Sequence, residues 1–170
     1  APWIIIELLA MGADTVALLG IAAHFGSSMI APQIGKFLDR YGVKKGLVLE
    51  SVTIGAIFLY AAWAVHGITS GVFTGRVEQI FAFTAYIFIM IADHFNAVHV
   101  MLMKQLSLRP EDVMGNLSLG LSVDHVLAVT VSGLLGAVWK FVGPEWVFVL
   151  GAAVCLVHFG VAVWLGKRAN

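Results

Sequence analysis

Long apolar runs alternate along this chain with short polar or glycine-rich punctuation, and the runs are of membrane length. About 20 consecutive apolar residues are needed for an α-helix to cross hydrocarbon. On that measure the sequence predicts five full spans, at roughly 14–37, 46–65, 79–103, 113–139 and 145–166. A shorter run over 2–11, closed by Gly12 and Asp14, reads as a partial span. The punctuation also speaks for helices. Pro110, Glu111 and Asp112 suit the opening turn of the fourth span, because proline lacks the N–H that would be orphaned there and carboxylates complement the positive helix end. Gly143, Pro144 and Glu145 repeat that logic before the fifth span. The stretch 66–78 is the one long connection. Its Gly67, Gly71 and Gly75 mimic a helix-packing repeat, but so much Gly and Thr predicts a flexible loop. The expected fold class is all-α, a polytopic transmembrane helix bundle forming one unit over 1–170.

Composition agrees. Of 170 residues, 60% are apolar and only 12% charged, and the mean hydropathy is +0.94. A soluble domain of this size does not need so much apolar surface. The formal net charge is zero, and no nucleic-acid partner is expected. Cys155 stands alone, so it cannot form an intramolecular disulfide. Neither a G-x-S-x-G elbow nor an H-E-x-x-H pair occurs, so the chain is not read as an enzyme, and no cofactor is expected.

Basic residues set the topology. Eight fall on one face (Lys36, Arg40, Lys44, Lys45, Lys104, Arg109, Lys167 and Arg168) and two on the other (Arg76 and Lys140). The positive-inside rule then puts the 35–45 turn, the 104–112 connection and the C-terminus in the cytoplasm. The expected location is a bacterial inner membrane. Trp3, Trp63, Trp139, Trp146 and Trp164 lie near span ends and read as interface anchors.

The turn between the first two full spans is dense in charge and punctuated by glycine. Gly35, Asp39, Arg40, Gly42 and Lys44 follow the pattern G-x-x-x-D-R-x-G-x-[RK]-[RK]. This resembles the "motif A" loop of the major facilitator superfamily of transporters, with Val43 at a position that is usually basic there. The resemblance implies a conformational latch made by these five residues, which closes the cytoplasmic side and opens as access changes. It also implies that the chain is the last six-helix half of a twelve-helix transporter, short of most of its opening helix, with the first half as its partner. Span three lacks the embedded Arg often carried by the fourth helix of the first half, which favours that register. Glu50, about one turn into span two, is expected to pair with Arg40 or Lys44 of the turn.

Ionisable groups in hydrocarbon are costly, about 2.5–3.5 kcal/mol or more at a helix centre. Three sites of this kind fall near mid-span: His24 in the first span, Asp93 and His94 in the third, with Asn96 and His99 following, and Asp124 and His125 in the fourth. The middle of span two, from Ile54 to Ala64, carries no charge, and span five has only His158 in its interior, read as a packing histidine. Spans one, three and four are therefore expected to face a polar cavity, and spans two and five lipid. The candidates for substrate binding or proton coupling are Asp93, His94, Asn96, Asp124, His125 and His24. Asp93 and Asn96, three apart, share a helix face. A metal site drawn from Asp93, His94, His99, Asp124 and His125 is disfavoured, because adjacent residues chelate poorly on a helix and there is no His-x-x-x-His spacing. Ala128, Ser132 and Gly136, spaced by four, suit close approach of another helix.

The expected function is secondary active transport of a small solute by alternating access, coupled to protons. A membrane-embedded binding or assembly protein that transports nothing is the alternative.

Overall fold

The computed structural model describes the backbone of residues 2–107 and 109–167, with all of their side chains except those at 96, 97, 106 and 165–167. Among these residues the chain is all-helical. Six α-helices follow one another: α1 (Ala13–Tyr41), α2 (Val43–Thr69), α3 (Arg76–Ala92), α4 (Asn96–Leu106), α5 (Asp112–Phe141) and α6 (Pro144–Lys167). A single 3₁₀ turn, Asp93–Phe95, joins α3 to α4, and together they make one span. Five spans are thus long and apolar enough to cross a membrane.

The helices overrun the apolar runs at both ends, because a helix can project its charged last turn into water without ending. Tyr41 and Val43 lie on either side of a connection one residue long. Likewise α2 continues to Thr69, so the expected loop shrinks to 70–75. Its sharp turns fall on Gly71 and Gly75, at φ of 72° and 60°. Gly67 stays helical and lets the Phe73 ring lie against the α2 backbone, where any side chain would collide with it. Phe73 in turn stacks on Phe81 with ring centroids 4.5 Å apart. The short N-terminal run forms a π-helical turn, Ile4–Leu8, whose Ile4 and Ile5 are fully buried.

Two apolar cores hold the bundle. One joins Ile4 and Ile5 to Ala61, Val65, Ala82, Ala85, Tyr86 and Phe148, at the end away from the 35–45 turn. The other joins Ile34, Leu38, Val43, Leu47, Phe95, Val98 and Ala162, next to that turn. The most extensive helix contact is between α2 and α6. Lipid tails are as apolar as leucine, so association here depends on close packing rather than on escape from water. Glycine supplies the closeness: a Cβ on Gly151 would lie 3.0 Å from the Phe58 ring, and one on Gly55 would lie 3.4 Å from Cys155 Cβ.

Burial departs from the expected division of spans. Helix α2, expected to face lipid, is the most enclosed, with ten buried residues. Helix α5, with its mid-span Asp and His, has none.

Candidate functional site

The 35–45 turn is an elbow. Gly42 adopts φ 82° and ψ 164°, a conformation a side chain strongly disfavours, and its N–H donates to Leu38 O at 2.8 Å. The glycine at 46 lets α1 fold back closely, since a Cβ there would run into the Leu38 side chain. Arg40 and Lys45 both reach the Tyr41 ring, 5.2 and 5.3 Å from its centroid. Asp39 and Lys44 are exposed, and among the described residues Asp39 makes no hydrogen bond or ion pair. Gly35 faces open space rather than a neighbouring helix.

The mid-span candidates are brought together only in part. His24 on α1 and His94 in the 3₁₀ turn meet edge to face, with ring centroids 6.4 Å apart. Asp93 is exposed beside them, at the point where the span departs from α-helical geometry. A 3₁₀ turn inside a long helix commonly marks a hinge or local strain. Asn96 opens α4, and its side chain lies outside those described. On α5, Asp124 and His125 are both exposed, and His125 Nδ1 lies 2.7 Å from the Leu121 carbonyl of its own helix, to which it donates. Ala128, Ser132 and Gly136 continue this open face, and a Cβ on Gly136 would meet nothing. Near its far end the face borders a cleft of about 640 Å³ shared with Trp3, Glu7 and Phe148.

A second polar group is built around a buried carboxylate. Glu50 on α2 is 4% exposed, and His99 Nε2 on α4 donates to its Oε1 at 2.6 Å. Glu50 therefore pairs with His99, not with Arg40 or Lys44, because its side chain points into the bundle rather than back along the turn. Its other oxygen, Oε2, is buried with no hydrogen-bond partner among the described residues. On α6 the His158 ring lies nearly parallel to that of His99, with centroids 5.7 Å apart. Ser51, also buried, donates its hydroxyl to Leu47 O at 2.7 Å, and its oxygen is 3.0 Å from His158 Nδ1. The hydroxyl has only one proton, so Nδ1–H of His158 is the donor to Ser51 and Nε2 keeps a free lone pair.

Sequence reasoning missed this group. Glu50 lies seven residues from the start of α2, His99 seven from the end of α4 and His158 nine from the end of α6. Each is therefore about 10–14 Å from the same end of the bundle. Counting depth from the charged end of every span, rather than searching mid-span, is the signal that finds it.

Comparison with protein families, with characterised proteins and with solved structures finds no match for this chain.

Proposed function

We propose that the chain forms one wall of a transmembrane pathway and belongs to a secondary active transporter that moves a small solute by alternating access, coupled to protons. One observation carries the reading. Asp93, Asp124, His125 and His24 sit on the surface of a bundle whose outer faces are largely apolar. At about 2.5–3.5 kcal/mol for a carboxylate at mid-bilayer, such a surface is tolerable only against water or more protein. A cavity shared with a second helical bundle supplies both, and a carboxylate there can exchange a proton as access alternates. Asp39, unpaired among the described residues, and the Arg40–Tyr41–Lys45 stack at the elbow fit a latch to that second bundle.

A second reading has its own support. The open Ala128, Ser132 and Gly136 face of α5 fits close packing against another helix, so the chain could assemble with partners and transport nothing. Thiol labelling in vesicles separates the two. In the full-length chain with Cys155→Ala, membrane-impermeant reagents are expected to reach His24→Cys, Asp93→Cys and Asp124→Cys. They should not reach Leu156→Cys, whose parent side chain faces outward on α6. Protection of all three polar positions would end the transport reading in favour of a dry assembly interface. Asp93→Asn and Asp124→Asn then test coupling. Loss of gradient-driven uptake with retained solute exchange marks the proton site, and unchanged uptake in both makes the aspartates structural.

A further inference from the structure

We propose that Glu50, His99 and His158 form a binding site for a divalent transition-metal ion of the zinc class, which clamps α2, α4 and α6 together. The inference does not depend on the transport reading.

Four observations converge. Each of the three residues offers a ligand atom, and these atoms lie within 4.8 Å of one another. Around a tetrahedral ion with bonds of about 2.0–2.1 Å, ligand atoms stand ~3.4 Å apart, so modest side-chain rotations close the group on a metal. Next, Glu50 Oε2 is buried with no partner among the described residues. An unsatisfied carboxylate oxygen inside a protein costs about 1–3 kcal/mol or more, and a cation removes that cost. Third, Ser51 accepts from His158 Nδ1–H and leaves Nε2 as a lone pair, the outer-shell arrangement that orients a ligating imidazole. Finally, His99 is half-exposed, with 46% of its side chain accessible against 5% for Glu50. The ion thus has a way in past the His99 ring.

The chemistry selects the ion. Two imidazoles and one carboxylate suit zinc and its neighbours, whereas calcium and magnesium require six or more oxygen ligands. On binding, the proton on His99 Nε2 that now joins it to Glu50 Oε1 would move to Nδ1, which frees Nε2 for the metal and leaves the imidazole neutral. A fourth position is left for water. Cys155 lies one turn before His158 on α6 but is outside the ligand group.

Metal content and Co²⁺ absorption of the full-length chain purified in detergent test this. One ion per chain is expected, with tetrahedral ligand-field bands and no thiolate charge-transfer band. Glu50→Gln and His158→Ala should each weaken Zn²⁺ binding by roughly 100-fold, and Ser51→Ala, which keeps every ligand, by roughly tenfold. His66→Ala removes the exposed His66–Glu145 pair, 3.7 Å apart at the other end of the bundle, and should leave binding unchanged. If a ligand variant fails to fold, the wild-type melting temperature gives a separate readout and should rise with Zn²⁺ but not with Mg²⁺. Wild-type affinity no better than that of Glu50→Gln, loss of the ion with His66→Ala, or a melting temperature indifferent to Zn²⁺ would overturn the proposal.

Discussion

Helices α2 and α5 have nearly the same length, 27 and 30 residues, and opposite fates. The first buries ten residues, places its one interior carboxylate against a histidine and is gripped by α6 along its length. The second buries none and carries its Asp and His on an open face. The lesson is that polarity at mid-span does not identify the helix that organises the bundle. Within this chain a charge is enclosed where two glycine-relieved helices approach closely, and exposed where the fold has left a face for something else.

The sharpest way to break this contrast is to hollow out the enclosed side. Phe148→Ala, in the core away from the 35–45 turn, should cost about 3 kcal/mol, the low end for an aromatic, since little transfer from water is involved. Phe141→Ala, at a residue 79% exposed near the end of α5, should cost close to nothing. Unfolding titrations in detergent compare the two, and equal losses would mean that α5 is as tightly packed as α2. Overfilling comes next. Gly46→Val drives a side chain into Leu38 and should destabilise by about 1–3 kcal/mol. Gly136→Val should leave the bundle unaltered, yet weaken any association that uses the α5 face, which cross-linking in native membranes would reveal. On the enclosed side the smallest loss is expected at Tyr60, whose hydroxyl lies 2.6 Å from Thr84 Oγ1. Thr84 already bonds the Ile80 carbonyl at 2.8 Å, so Tyr60→Phe should cost only about 0.6 kcal/mol in the same titration.

How much of this was legible in the sequence follows from the same helices. Spans stand out because apolar runs of membrane length have few alternatives, and their ends drift because the sequence marks where hydrocarbon stops, not where hydrogen bonding stops. Lys44 and Lys45 illustrate this: they lie outside the expected span and inside α2. Gly42 was readable as a turn, since its backbone excludes other residues. The 3₁₀ turn at Asp93 was not, for neither glycine nor proline marks it. The Glu50 group was hidden for a different reason. Its contacts join residues 49 and 107 positions apart, and only the packing of α2 with α4 and α6 makes them neighbours.

Gly42 has a mechanical consequence. With a single residue between them, α1 and α2 have no slack, and the cations on Tyr41 stiffen the joint further. The pair is a hairpin lever with its pivot at the membrane surface. At 1.5 Å per residue, His24 lies about 27 Å from the pivot along one arm and Glu50 about 12 Å along the other. Any rocking about the elbow therefore moves His24 roughly twice as far as Glu50. A small displacement at the enclosed carboxylate would be geared up into a larger stroke at the open polar face.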